Sequence, residues 1–223
     1  MLGTHNLGGK YYKMELKEQL QGALIELRKE KERKFDQTVD LIVNLQKFDL
    51  KKTPINLFIS VSHKVKEKRV AGFLESENKN VETITPEKFK KYSNKKESKN
   101  LIKKFDFFIA QASLMPKVAT VFGKILGPAG KMPSPQLGMI INVDDKTIIE
   151  LKNKINNSIK IRVKESSIKL PIGKQSMKDE EIIENILIAY DSILKVMPKE
   201  KENIKNLEIK FTMTKPQKIK IRQ

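Results

Sequence analysis

The chain has 223 residues, no cysteine and 45 Lys and Arg against 27 Asp and Glu, a formal net charge of +18. That length allows one large or two small domains with real cores, and the missing cysteine excludes a disulfide framework, a thiolate nucleophile and a cysteine-zinc site. So large a positive excess costs self-repulsion unless a polyanion screens it, and nucleic acid is the usual polyanion.

Residues 12–33 are rich in helix formers, and Leu16, Leu20, Ala23, Leu24 and Leu27 recur at three- and four-residue spacing, which predicts an amphipathic helix. From Phe35 the period becomes two. Val39, Leu41, Val43 and Leu45 alternate with Thr38, Asp40 and Asn44 as in a half-buried strand, with Ile42 breaking the alternation. A second strand is predicted over 55–62. Residues 64–69 are charged and aperiodic, a natural boundary, and short strands follow at 70–74 and 81–84. Thr85-Pro86-Glu87 opens a predicted helix, with threonine as N-cap and proline at the first position, running to about Lys104. A buried strand over 107–110 precedes a helix capped near Ser113 that contains Pro116, Val118, Val121, Phe122 and Leu126. Residues 123–135 hold three glycines and three prolines, which predicts a loop carrying Lys124 and Lys131. A short helix is predicted over 147–154.

From Ile159 the two-residue period returns, through Ile161 and Val163 and then Ile168, Leu170 and Ile172. A helix starts near Ser176 with Asp179, Glu180 and Glu181 in its first turn, its stripe formed by Ile182, Ile183, Ile186, Leu187, Tyr190, Ile193 and Leu194. Strands at 207–213 and 219–221 end the pattern. Amphipathic strands and helices at both ends thus flank a run of alternating short strands and helices, an α/β pattern. The simplest arrangement is a discontinuous domain, 1–65 plus 157–223, with an α/β domain, 66–156, inserted into it. The two crossings between them would act as a hinge. The first carries 27 basic and 17 acidic residues and the second 18 and 10, so charge alone does not select the binding domain.

Several chemistries are missing. The only histidines are His5 and His63, so no pair has metal-ligand spacing. The Gly/Pro segment is no phosphate loop, because Ile125 stands where the first glycine belongs and Met132 where Ser or Thr belongs. No GxSxG elbow or compact acidic set appears, so no catalytic residue, cofactor or metal is expected. No apolar run approaches the roughly twenty residues of a membrane span, and the first ten residues lack the apolar core of a secretory signal. The expectation is a soluble, intracellular protein with no membrane partner and no homo-oligomer. The alternating strands place Lys160, Arg162, Lys164, Lys210, Lys218, Lys220 and Arg222 as one cationic face. It suits a phosphate backbone or, equally, serves as edge protection against aggregation.

One stretch is specific. Gly123 to Pro135, GKILGPAGKMPSP, resembles the LGPRGKMP loop of the ribosomal protein L1 family, archaeal or eukaryotic in type. Lys34 to Asp40 resembles that family's first-strand KFxET(V)E segment, Asp106 to Ala112 its DFFIAQA, Pro171 to Lys174 its PVGK turn, and Thr212-Met213-Thr214 its TMG segment. The five lie in order along most of the chain.

The resemblance implies an α+β RNA-binding domain with a split βαβ two-layer sheet and an inserted Rossmann-like three-layer α/β domain. It implies a cytoplasmic ribosome constituent that binds large-subunit rRNA of the mobile stalk beside the tRNA exit site, with transient contact to exit-site tRNA and, in translational repressors of the family, to mRNA. Carried onto this chain, the RNA contacts are Lys34, Phe35, Thr38, Gly173, Lys174, Thr212, Met213, Thr214 and Lys215, with a secondary set at Lys124, Gly127, Gly130 and Lys131. Without the family, Phe35 and Met213 read as core residues. Two departures stand out. Ala129 replaces the family's arginine in GPRG, and Thr214 replaces the glycine of TMG, where a β-branched residue would be strained if the turn needs positive φ. A repressor acting off the ribosome, and a nucleotide-using α/β enzyme resting on fold alone, are the alternatives.

Overall fold

The computed structural model describes residues 5–31, 33–49, 55–92, 94–163 and 165–221, without the side chains of residues 5–12, 95 and 162. The chain divides into two compact units, one formed by the described residues up to Val65 and from Asn157 onward, the other by Lys66–Asn156. The two together make an α/β fold.

In the discontinuous unit, helix α1 (His5–Arg28) precedes strand β1 (Thr38–Leu45). Alternation along β1 is strict: Val39, Leu41, Val43 and Leu45 are buried, and Ile42 falls on the outer face with Asp40 and Asn44. Strands β8 (Ser167–Lys174) and β9 (Ile204–Phe211) flank β1, both antiparallel to it, and helix α6 (Asp179–Val196) joins them, a βαβ unit split by the central strand. A short strand, β10 (Gln217–Ile219), extends the sheet beyond β9. Leu20, Leu24 and Leu27 of α1 and Ile182, Ile186 and Tyr190 of α6 fill one core against the inner sheet face. Strands β2 (Asn56–Ser60) and β7 (Ser158–Arg162) pair separately as a two-stranded ribbon. Lys160 therefore lies on a different sheet from Lys210 and Lys218, and there is no single cationic strand face. Lys164, Arg222 and the side chain of Arg162 lie outside the described residues.

In the Lys66–Asn156 unit, strands β3 (Val70–Phe73), β4 (Glu82–Ile84), β5 (Phe107–Gln111) and β6 (Met139–Ile140) form a parallel sheet in the order β4-β3-β5-β6. Helices α2 (Phe89–Tyr92), α3 (Lys95–Lys104) and α4 (Met115–Ala129) share a core with one sheet face, where Phe73, Phe89, Phe108 and Phe122 pack ring on ring. Helix α5 (Asp145–Asn156) covers the other face through Ile148 and Ile155. The result is three layers.

Two expectations give way here, and one strand comes unannounced. The helix predicted from Thr85 is broken: Pro86–Lys88 is a single 3-10 turn, and α3 starts afresh where the Asn94 side chain accepts a hydrogen bond from Lys96 N–H. The Gly/Pro stretch is not a loop throughout. Gly123 and Gly127 lie in α4, Pro128 sits in its last turn, and the stop is Gly130 at φ 68°. There Gly130 N–H and Lys131 N–H bond the carbonyls of Gly127 and Leu126, a left-handed glycine cap. Strand β6, which follows, carries too short an apolar run to be seen in the sequence.

Near the chain crossing of this unit, Lys68 Nζ donates to Ile155 O at 2.6 Å, and Asn156 Oδ1 accepts from Lys68 N–H at 3.0 Å. Burial pushes the Lys68 ammonium down to about 8, with Asp106 opposing the shift.

Candidate nucleic-acid interface

Three segments distant in sequence meet at one end of the four-stranded sheet: residues 34–38 before and into β1, the turn 173–177 after β8, and the turn 211–215 after β9. The pairing of β1 with both strands aligns them, since Thr38 lies opposite Lys174 and Val39 opposite Phe211.

Hydrogen bonds then fix the segments to one another. Gln37, only 1 % exposed, accepts from Met213 N–H through Oε1 and donates from Nε2 to Gln175 Oε1, while its carbonyl accepts Gln175 N–H. One side chain thus touches the other two segments. Thr212 Oγ1 accepts from Thr38 N–H at 3.0 Å, and Lys174 Nζ donates to Thr38 Oγ1 at 3.0 Å. The Asp36 carboxylate accepts from Ser176 N–H and Ser176 Oγ–H, both at 3.0 Å. From α1, Arg28 donates to Asp179 and to the carbonyls of Gln175 and Met177, which pins the turn leading into α6. Asp36, Gln37 and Arg28 were not singled out from the sequence. Asp36 and Gln37 lie inside the motif that carries the resemblance, but nothing local shows that Gln37 turns its amide inward or that Asp36 bonds the distant turn at Ser176.

On this frame the two large apolar side chains of the set stand out into solvent: Phe35 is 51 % exposed and Met213 is 56 % exposed. Neither is core, so hydrophobicity alone misleads at both positions. Lys34, Thr212 and Lys215 are exposed beside them in sequence, and Lys174 is half-buried. The surface therefore offers apolar contact, a hydroxyl and cations together, the combination that recognises ribose, base and phosphate. Further along the outer sheet face Asp40 stands among lysines. Burial pushes its carboxyl up, and Lys210 and Lys174 pull the other way.

Gly173 and Thr214 face inward instead. A Cβ built on Gly173 would lie 3.0 Å from Ile182 Cγ1, and the φ of Gly173 is not positive. The glycine is there so that α6 can approach β8 closely. A bulge accompanies it: Val39 pairs with Gly173 and Asp40 with Pro171, leaving Ile172 extra, and Asn185 Nδ2 donates to the Ile172 carbonyl. Thr214 is 9 % exposed and its φ is not positive, so the feared strain is absent. Its Oγ1 accepts from Phe211 N–H at 3.0 Å and its own N–H bonds Phe211 O, which closes the turn that presents Thr212 and Met213.

The secondary set belongs to the Lys66–Asn156 unit. Lys124 and Gly127 are exposed, but Gly130 is the helix cap already described. Lys131 is engaged, its Nζ donating to Ile102 O and Phe105 O at 2.7 Å each, so that it caps the end of α3. Burial lowers its pKa, and that contact makes it a structural cation rather than an open one. Among the described residues no three His, Asp or Glu side chains are placed to hold a metal ion, and no helix is long and apolar enough to cross a membrane.

The family model described as "Ribosomal protein L1p/L10e family" matches residues 27–215, a span that contains all three converging segments. Similar proteins named "Large ribosomal subunit protein uL1" include one from Nanoarchaeum equitans, 34 % identical over 83 % of this chain and 92 % of its own length. Another, from Pyrobaculum islandicum, is 36 % identical over 85 % and 87 %, and one from Archaeoglobus fulgidus is 33 % identical over 82 % and 88 %. With the model spanning most of the chain and these identities holding over nearly the full length, the chain belongs to the ribosomal protein L1p/L10e family.

Proposed function

We propose that this protein is a structural constituent of the large ribosomal subunit that binds rRNA of the mobile stalk beside the tRNA exit site, through the surface formed by Lys34, Phe35, Thr38, Lys174, Thr212, Met213 and Lys215. The observation that carries the reading is the convergence of those segments on a hydrogen-bonded frame that leaves Phe35 and Met213 exposed. An exposed apolar pair costs solubility unless a partner covers it, and RNA sugars and unstacked bases are partners that lysines alongside would also attract. Thr212 and the local backbone reach ribose 2′-hydroxyls, Phe35 and Met213 contact sugar or base, and Lys34 and Lys215 neutralise phosphates. Transient contact with exit-site tRNA, and a place in the cytoplasm, follow from the same reading.

The test is binding to a stalk rRNA fragment across a range of salt. Phe35→Ala and Met213→Ala each weaken binding about 5- to 150-fold, since a base or sugar contact is worth about 1–3 kcal/mol, and leave the salt slope unchanged. Lys34→Ala and Lys215→Ala each lower the slope of log K against log salt by about 0.7–0.9. Unaltered affinity in both apolar variants sinks the proposal, because exposed positions leave folding intact.

A further inference from the structure

We propose that Met213 is an oxidation site that turns the RNA surface off: a hydroperoxide converts its thioether to the sulfoxide, which loosens RNA and leaves the fold in place. The inference rests on the reading of that surface as RNA-binding. Seven of the eight methionines have described side chains. Met14 and Met213 are exposed, Met115, Met132, Met139 and Met177 are half-buried, and Met197 is buried. An oxidant dissolved in water meets the two exposed sulfurs first. Met14 stands on α1, outside the converging segments. Met213 is therefore the methionine, among the described residues, that is both open to oxidant and part of the candidate interface, with exposed Thr212 and Lys215 on the same turn.

The step balances on the residue and the oxidant alone. A sulfur lone pair attacks the terminal oxygen of the hydroperoxide, an S–O bond forms and the O–O bond breaks. Sulfur gives up two electrons, and the departing oxygen keeps them, takes the hydroperoxide's proton and leaves as water or an alcohol. A flexible apolar group becomes a polar, chiral one. The new oxygen must shed its water when RNA binds, and the negative end of its dipole then faces a polyanion. The change is reversible: two thiols of a methionine sulfoxide reductase supply two electrons and two protons, the oxygen leaves as water, and the thiols become a disulfide.

What makes this a switch rather than damage is how the side chain is held. The frame grips Met213 by its backbone, where its N–H donates to Gln37 Oε1 at 3.0 Å. The hydroxyls of Thr212 and Thr214 brace the turn on either side, by accepting from Thr38 N–H and from Phe211 N–H. The thioether projects outward from this frame, so an oxygen is added without displacing a packed group. Other sulfurs of the same unit show the contrast. Met177 Sδ accepts from Lys174 N–H at 3.3 Å, and Met197 lies in the core, so oxidation there disturbs a turn or the packing. Phe35, the other apolar group of the surface, carries no atom that this chemistry converts.

The experiment uses the full chain, the stalk rRNA fragment and a limiting dose of hydrogen peroxide, with sulfoxide at Met14 and Met213 followed by peptide mass and RNA affinity measured before and after. Conversion of Met213 is expected to weaken binding about 5- to 150-fold, the range for one lost base or sugar contact, and sulfoxide reductases for both epimers are expected to restore it. Met14→Leu loses the same factor as the native chain, whereas Met213→Leu, compared with itself before treatment, loses none. Full conversion of Met213 with unchanged affinity overturns the proposal, and so does an equal loss in Met213→Leu. A melting temperature that falls as Met213 is converted also overturns it, because the sulfoxide would then act through the fold. Treating the RNA complex separates this proposal from the reading beneath it: RNA is expected to slow oxidation at Met213 and not at Met14. If Met213 reacts as fast in the complex as in the free protein, the surface is misplaced and both readings fall. If RNA protects Met213 and the sulfoxide still binds RNA as tightly as the thioether, the surface stands and the oxidation switch falls.

Discussion

At the scale of single residues, the departure at position 214 is accommodated. The hydroxyl of Thr214 holds Phe211 N–H from within the turn, and the backbone there is already in the ordinary negative-φ region. Replacing it by glycine removes the partner of a buried N–H, which costs about 1–3 kcal/mol, and adds unfolded-state entropy worth about 0.4–1 kcal/mol. Thr214→Gly is therefore expected to lower unfolding free energy by about 1–4 kcal/mol in denaturant titrations, with no tightening of RNA binding; Thr214→Ser restores most of the loss. An increase in RNA affinity for Thr214→Gly would contradict this account. Phe35 and Met213 make the complementary point. Their side chains look like core material, and only the direction in which the neighbouring Gln37 turns its amide, inward to Met213 N–H and Gln175, leaves the two apolar groups outside.

Among the elements, the close approach of α6 to β8 decides the shape of the site. Gly173 lets Ile182 come within 3.0 Å of where a Cβ would stand, and the bulge at Ile172 is held by Asn185 from the same helix. Asn185 also accepts from His63 N–H and donates to His63 O, so one buried amide fastens strand, helix and the segment after β2. Gly173→Ala is expected to destabilise by about 1–3 kcal/mol, because Ile182 is fully buried and cannot retreat without disturbing the core. Gly123→Ala is the control: it sits in helix α4 with open space around it and is expected to be neutral or stabilising by up to about 1 kcal/mol. Equal destabilisation in both variants, measured by thermal or chemical unfolding, would refute the packing role assigned to Gly173. The same logic separates the glycines of the family-like segments. Gly130 serves a left-handed helix end, Gly173 serves packing, and Gly127 serves neither within the fold.

For the whole molecule, charge is the governing term. A net +18 on 223 residues repels itself, and several of the ion pairs, such as Lys13–Asp191, Lys29–Glu26, Lys88–Glu77 and Lys104–Glu82, are exposed and individually weak. Screening should therefore help more than it harms. As salt rises from 0.1 M to 1 M the Debye length falls from about 10 Å to about 3 Å, and the melting temperature of the free protein is expected to rise over that range. A melting temperature that falls with salt would show that attractive pairs outweigh the repulsion.

Much of this protein was legible in the sequence because the signals are local. Periods of two and of three to four residues marked the strands and helices, and the period change located the α/β stretch between amphipathic ends. The motif segments named the family, which the comparisons then bore out. What tertiary structure alone decided is everything that depends on residues far apart in the chain. Gly and Pro between 123 and 130 read as a loop because composition does not reveal that α4 is already packed through Val118, Phe122 and Leu126 and needs only Gly130 to end it. The cationic strands read as one face because sequence order does not say that β7 pairs with β2 while β9 pairs with β1. The site itself is of this kind. Residues 36, 37, 175 and 213 meet only when β1 lies between β8 and β9, so the inward turn of Gln37, and with it the exposure of Phe35 and Met213, is fixed by strand pairing rather than by any local preference.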